Sequence, residues 1–343
     1  MPKKIVDREW YRIRSILGCD WAMFYCLLGG REAGKSYATT EYFVGQWRKY
    51  KRPFYWLRLT ESSAKKLLCN NAEKLIDPDL RRKFNLNLKT KGDGVYEVLP
   101  NGDKVLMARV LALNTFYNDK GSGLFDKDFL NDPNMYYNIC LDEMNRERNE
   151  KRTFDIVYAL ANQLENLVRS TKQKLRIVMI GNTLEEASDI MCAFDFLPET
   201  FGRYYLRKKR CVIDYMPLNE KYRTRRQGTV ADILSGTSST FTNETLIDKT
   251  RLYKGRLHKP QAIIKFDKDQ SHWFVLWDDD VIAIYNNETC KTTITMRPYI
   301  NDFFVPEKRD FVIEAFNVRR FWFRNLMAQK KFQKELELLK PNG

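Results

Sequence analysis

The stretch Gly29-Gly30-Arg31-Glu32-Ala33-Gly34-Lys35-Ser36 constrains the fold of this chain more than any other. Ahead of it, Met23–Leu28 is an unbroken apolar run of the kind that forms a buried strand. Behind it, Ser36–Trp47 reads as a helix. A glycine-rich turn between a buried strand and a helix commits this region to an α/β arrangement. The spacing GxxxxGK[ST] then gives the turn a chemistry. Gly29 and Gly34 permit backbone angles that fold the loop around a phosphate with amide N–H groups pointing inward. Lys35 supplies an ammonium to the β and γ phosphates, and Ser36 a hydroxyl for Mg²⁺. The positive end of the following helix faces the same anion. The expected ligand is a nucleoside triphosphate, ATP, bound with Mg²⁺.

Such a site needs a second, acidic element. Ile139-Cys140-Leu141-Asp142-Glu143 is an apolar strand ending in two carboxylates. Asp142, at the strand tip, is expected to hold Mg²⁺ directly or through water. Glu143 is expected to polarise the attacking water as a general base. The adjacent Asp-Glu pair argues against small GTPases, and no Asn-Lys-x-Asp loop is found. Metabolite kinases do not need a water-activating Glu. Hydrolysis coupled to mechanical work is favoured, with a DNA helicase, a metabolite kinase or a nucleotide-gated binding module as rivals. Asn182 follows the apolar run Leu175–Ile180, where it either senses the γ-phosphate or stabilises a turn. Arg58 lies near the end of the run Pro53–Leu59, read as the second strand, and contacts nucleotide or Glu143, or is a surface arginine.

Runs reading as strands alternate with helical patterns up to about residue 200. Ser62–Ile76 has helical spacing, Phe84–Leu113 is β-rich with turns at Gly92-Asp93-Gly94 and Asn101-Gly102, and Phe154–Val168 is amphipathic. The expected architecture is a mainly parallel P-loop sheet with helices on both faces, and a small α+β domain at the C-terminal end. The expected boundaries are 1–200 for the nucleotide domain, 201–243 for a basic linker or lid, and 244–343 for the second domain. Residues 1–20 read as a polar, basic lead-in.

Composition narrows the partners. A formal net charge of +15 favours a polyanion, nucleic acid ahead of an acidic membrane surface. No apolar run is long enough to span a membrane, and the N-terminus lacks the apolar core of a signal peptide. Seven cysteines without a CxxC pair fit a reducing compartment, with Cys26 and Cys140 expected as buried free thiols. Only two histidines are present, which disfavours a His-rich zinc site or Ser-His-Asp chemistry.

These segments together resemble the DNA-packaging motor ATPases of small tailed phages of the phi-29 type, relatives of the large terminase ATPases. Leu28–Tyr37 is similar to that family's Gly-Lys-Ser-Tyr loop, and Trp56–Arg58 to its strand ending in arginine. Asn118-Asp119-Lys120 looks like a loop lysine ahead of the acidic strand, and Leu141–Met144 like the Asp-Glu block. Leu167–Asn182 looks like an arginine-bearing helix end followed by a strand and Asn, and Lys221–Asn243 like a basic linker. The resemblance covers most of the chain and is firm in its N-terminal half.

The resemblance implies a homo-oligomeric ring, a pentamer by family pattern, that drives double-stranded DNA into a preformed capsid. It implies a phage portal and a packaging RNA as further partners, and a place in the host cytoplasm, transiently on the prohead. Arg169 becomes the arginine finger reaching a neighbouring subunit's site, with Arg146, Arg148 and Arg152 as competitors. Lys120 becomes a second trans or DNA contact, and Tyr37 a further nucleotide contact. One departure stands out. Where the family carries another basic residue after its strand arginine, this chain has Leu59, Thr60 and Glu61, with Lys65 and Lys66 as substitutes. The resemblance also implies a degenerate RNase-H-like second domain. Asp278-Asp279-Asp280, between two apolar runs, reads as a hairpin turn rather than a metal site. In the tail, Arg319–Arg324 interleaves cations and aromatics, read as packing rings with charges left for a polyanion or a partner.

Overall fold

A computed structural model describes residues 10–30, 33–114, 136–144, 154–168, 174–181, 189–198 and 200–217, and shorter stretches from 224 onward. The chain divides into two compact units, residues 1–190 with 198–245, and residues 191–197 with 246–343. No helix among the described residues is long and apolar enough to cross a membrane.

The first unit is built on a nine-stranded sheet in the order β3-β4-β5-β2-β6-β7-β1-β9-β8. Its strands are β1 (Phe24–Leu28), β2 (Phe54–Arg58), β3 (Leu88–Lys91), β4 (Gly94–Val98), β5 (Lys104–Ala112), β6 (Tyr136–Asp142), β7 (Lys174–Gly181), β8 (Gly202–Leu206) and β9 (Cys211–Tyr215). The six strands from β5 to β9 in that order run parallel, and β3, β4 and β8 join antiparallel at the two margins. Strands buried on both faces need continuous apolar sequence. Tyr25–Leu28, Ile139–Leu141 and Ile177–Met179 supply it, all fully buried.

Helix α1 (Arg14–Leu17) precedes β1, and α2 (Lys35–Tyr50) connects β1 to β2. Phe43, Val44 and Trp47 of α2 are fully buried against the sheet, where Phe43 meets Phe54 and Trp56 with ring centroids 5.5 and 6.4 Å apart. Helix α3 (Glu61–Ala72) starts at Thr60, whose hydroxyl accepts from the Ser63 amide, and breaks at Cys69–Asn71. Both asparagines there have positive φ, which Asn tolerates better than most residues. Helix α4 (Pro78–Phe84) has Asp77 as cap and proline in its first turn. Helix α5 (Ile156–Val168) lies between β6 and β7, and α6 (Asp189–Ala193) runs across the boundary between the two units.

Two segments differ from their sequence reading. Residues 202–215, expected within a linker, form the β8–β9 hairpin at one margin of the sheet. The basic lead-in is packed: Ile13, Ile16, Leu17 and Ala22 are buried, an i, i+3, i+4 spacing hidden among arginines. Cys26 and Cys140 are buried free thiols, as expected.

The second unit holds a five-stranded sheet in the order β13-β10-β11-β12-β14. Its strands are β10 (Ala262–Asp267), β11 (Gln270–Trp277), β12 (Asp280–Tyr285), β13 (Thr293–Thr295) and β14 (Phe321–Phe323), with α7 (Pro306–Asn317) before the last. The antiparallel β11–β12 pair ends with Trp277 opposite Asp280, which is the hairpin expected around the aspartate run. Phe321, Phe323 and Phe332 are buried together with Val312 and Ala315, so the tail's phenylalanines at these positions are core, while Trp322 between two of them is half-buried.

Candidate nucleotide-binding site

The C-terminal ends of the parallel strands meet on one edge, where ligands bind in open α/β sheets. Gly29 follows β1 there. A Cβ at Gly29 would sit 3.2 Å from both Cβ and the carbonyl oxygen of Met216. Met216 is held in place by its amide, which donates to Leu28 O at 2.8 Å. Gly34 has φ 82 and ψ 13, and a Cβ there would lie 3.3 Å from the Trp10 ring. Left-handed backbone and close approach together make glycine the residue that fits. Lys35 opens α2 and is 4% exposed. Its Nζ donates to Gly29 O at 2.8 Å and Gly30 O at 2.6 Å, so the buried ammonium lies against the loop that carries it.

The acidic pair lies on the same edge. Ser36 Oγ donates to Asp142 Oδ1 at 3.4 Å, bringing the two oxygens expected at the metal together. Glu143 has φ 62, an unusual conformation for a side chain of its size, costing about 1–3 kcal/mol unless its surroundings enforce it. Two contacts do so. The fully buried Met144 donates its amide to Ile180 O at 2.9 Å. Arg58 Nη1 lies 2.7 Å from Glu143 Oε2 and 3.5 Å from Asp142 Oδ2. Arg58 thus contacts both acids, its side chain 13% exposed.

Burial pushes the Asp142 carboxyl above the ordinary carboxylate range, and Glu143 adds to the rise; Arg58, the Trp56 indole and the Ser36 hydroxyl pull it back. Arg58 at 3.5 Å does not cancel the cost of burying this carboxylate, so further positive charge is favourable here. A divalent cation supplies it, and Asp142 with Ser36 offers the hard oxygen donors that Mg²⁺ takes. The residues therefore fit the ion.

Of the residues expected in the site, Gly29, Gly30, Ala33, Gly34, Lys35, Ser36, Arg58, Asp142 and Glu143 gather at this edge. Tyr37 is 40% exposed in the first turn of α2. Arg31, Glu32, Lys120, Arg146, Arg148, Arg152, Arg169 and Asn182 lie outside the described residues. Strand β7 pairs with β1 and ends at Gly181, directly before residue 182.

The sequence reading missed what braces the loop from behind. The Tyr11 amide donates to Ala33 O at 3.1 Å, and the Tyr11 hydroxyl to Asp214 Oδ2 at 2.8 Å. Asp214, fully buried on β9, takes two further bonds from Arg203 of β8, Nε at 2.5 Å and Nη2 at 2.7 Å. Arg203 Nη1 then donates to Ser15 O at 2.8 Å. Desolvation and the Asp214 charge both push the Tyr11 phenol up, so it remains a donor.

A phosphate loop after β1 and an acid pair ending β6, on the carboxyl edge of a mainly parallel sheet, define a P-loop nucleotide-binding fold. No family model and no curated protein matches the sequence. Solved structures do match. The chain is similar to the Phi-28 gp11 DNA packaging motor over 98% of its length and 99% of that chain, with TM-score 0.66 and 14% identity. It is similar to the bacteriophage Phi-29 viral genome packaging motor assembly over 97% of its length and 100% of that chain, with TM-score 0.67 and 16% identity. The N-terminal domain of the DNA packaging ATPase from bacteriophage phi29 matches 60% of the chain and 96% of that structure, with TM-score 0.46 and 21% identity. The chain thus shares the fold of phage packaging motors along nearly all its length.

Proposed function

We propose that this chain is an ATP-driven motor that translocates double-stranded viral DNA into a preformed capsid. The observation that carries the proposal is the Ser36–Asp142 contact at 3.4 Å, beside a buried Lys35 and with Glu143 next in the chain. It joins the phosphate loop to a metal carboxylate and a candidate base on one sheet edge.

The chain's own residues divide the work. Lys35 exchanges its loop carbonyls for the β and γ phosphate oxygens of ATP. Ser36 and Asp142 would hold Mg²⁺, which supplies charge neutralisation to those phosphates. Glu143 takes a proton from water as the water oxygen bonds to the γ-phosphorus and the bond to the ADP oxygen breaks. The Arg58–Glu143 ion pair opposes that step, because the guanidinium occupies the carboxylate oxygen Oε2 that the water would have to reach. Arg58 therefore restrains Glu143 until nucleotide draws the arginine away. Asn182, following β7, senses the γ-phosphate. Arg169 completes a neighbouring subunit's site, and Lys120 contacts DNA or that neighbour.

In this function the chains form a homo-oligomeric ring, a pentamer, docked on the portal of a prohead in the host cytoplasm, with a packaging RNA as scaffold. The second unit grips partner rather than cutting DNA. The test is the ATPase rate with and without double-stranded DNA. Stimulation by DNA, lost in Lys35→Ala and in Glu143→Gln, is expected. A rate indifferent to DNA, or one that survives both substitutions, removes the motor.

A further inference from the structure

The parallel strands that end at the nucleotide site begin at an opposite rim, and one turn on that rim carries four consecutive cations. Arg207-Lys208-Lys209 form a short 3-10 turn, capped by Arg210 with φ 49, between β8 and β9. All four are exposed. Two of them are held in place. The Arg207 guanidinium stacks 4.1 Å from the Trp21 ring centroid, and Arg210 Nε donates to Trp21 O at 3.4 Å. The Arg210 carbonyl accepts from the amides of Met23 at 2.8 Å and Phe24 at 3.0 Å, tying the turn to the start of β1. Among the described residues none of the four forms an ion pair with an acid. A solvated charge run has no need of a stacked, hydrogen-bonded platform. A surface that must present cations at fixed positions does.

We propose that the Arg207–Arg210 turn is a docking site for the phosphate backbone of double-stranded DNA. The choice of DNA rests on the motor reading above; the choice of a duplex backbone rests on the turn itself. Single strands are gripped by open aromatic faces on which bases stack. Here Trp21 is already covered by Arg207, which leaves Tyr205, 39% exposed and 6.3 Å away, as one aromatic face beside four cations. What the turn offers is charge. The same rim continues through exposed Lys49, ahead of β2, and Lys104, at the start of β5. Those strands lie four and five places from β9 in the sheet. At about 4.8 Å per strand that is a basic edge roughly 24 Å long, enough to follow several successive phosphates. Because β1 starts beside this turn and ends directly before Gly29, the same strand links the proposed DNA contact to the phosphate loop.

Lys208 and Lys209 carry the test, since neither contacts Trp21 and neither belongs to the nucleotide site. Lys208→Glu with Lys209→Glu is measured for duplex DNA binding over a salt series, with duplex RNA alongside. The expected result is at least a tenfold loss of DNA affinity at low salt and a fall of about 1.8 in the log–log salt slope, two phosphate contacts' worth. The thermal midpoint and DNA-free ATPase rate are expected to match the parent, and Lys208→Arg with Lys209→Arg to keep DNA affinity. Unchanged DNA affinity and slope in the charge-reversed variant overturn the docking site and leave the motor standing. A loss confined to duplex RNA also overturns it, in favour of an RNA surface. A parent chain that neither binds duplex DNA nor is stimulated by it sinks the motor reading and this site together.

Discussion

Asp142 shows how a single side chain stores the requirement for its ligand. Its carboxyl is held above the ordinary range chiefly by burial, with the neighbouring Glu143 adding to the rise and Arg58 offsetting part of it. The consequence for stability has a definite sign. A carboxyl whose folded value exceeds its unfolded one binds its proton more tightly in the native state. Its stabilising contribution is complete below the ordinary carboxylate value and is lost as pH rises through the raised folded value. At neutral pH the ionised Asp142 therefore weighs against the ligand-free fold. Asp142→Asn removes that charge while keeping the side chain's shape and an acceptor for Ser36. The melting temperature of the nucleotide-free variant is expected to rise, by roughly 2–4 °C for each 1 kcal/mol relieved in a unit of this size. Mg²⁺-dependent nucleotide binding, followed by calorimetry, is expected to disappear. A variant that melts lower than its parent would show that Asp142 is net stabilising without metal.

At the scale of elements, the segment around Tyr11 decides how rigidly the phosphate loop is held. Tyr11 joins Ala33 of the loop to Asp214 of β9 through its backbone amide and phenol. Tyr11→Phe deletes only the hydroxyl. Hydrogen bonds to buried charged groups contribute about 1.5–3 kcal/mol, and a loss of that size is expected in denaturant unfolding, with weaker nucleotide binding and an unchanged turnover number at saturation. A variant as stable as its parent would mean Arg203 alone satisfies Asp214. None of this brace was visible in the sequence, because Tyr11 and Asp214 are 203 positions apart. Arg203 read as part of a basic run, and Asp214 interrupts the apolar signal of β9. The elements that were legible share one property. Strands β1, β6 and β7 are buried on both faces and so carry continuous apolar runs at Tyr25–Leu28, Ile139–Leu141 and Ile177–Ile180, and each run stops where the chain turns toward the site. Lys35, Ser36, Asp142 and Glu143 could be named in advance because they sit at those stops. Arg58 could be placed at a strand end, but its contact with Glu143 is set by neighbouring strands β2 and β6 lying side by side.

For the molecule as a whole, the proposed function requires more than one copy. A chain of net charge +15 repels its own kind, with a range of about 8 Å at physiological salt, so ring formation is opposed until a polyanion or a scaffold neutralises it. Catalysis shared between copies then has an arithmetic that a self-sufficient subunit cannot imitate. In the head-to-tail ring proposed above, each site would take Glu143 from one chain and Arg169 from the next. A ring of Arg169→Ala chains lacks every finger, and a ring of Glu143→Gln chains lacks every base. Mixed one to one at random, about a quarter of the interfaces pair an intact Glu143 with an intact Arg169. Equal mixtures of the two dead variants are therefore expected to recover up to roughly a quarter of the DNA-stimulated rate, with the recovery growing as protein concentration drives mixed rings. Mixtures that stay inactive at every ratio and concentration, while each variant still assembles on DNA, would place the arginine within its own subunit or remove it from the site.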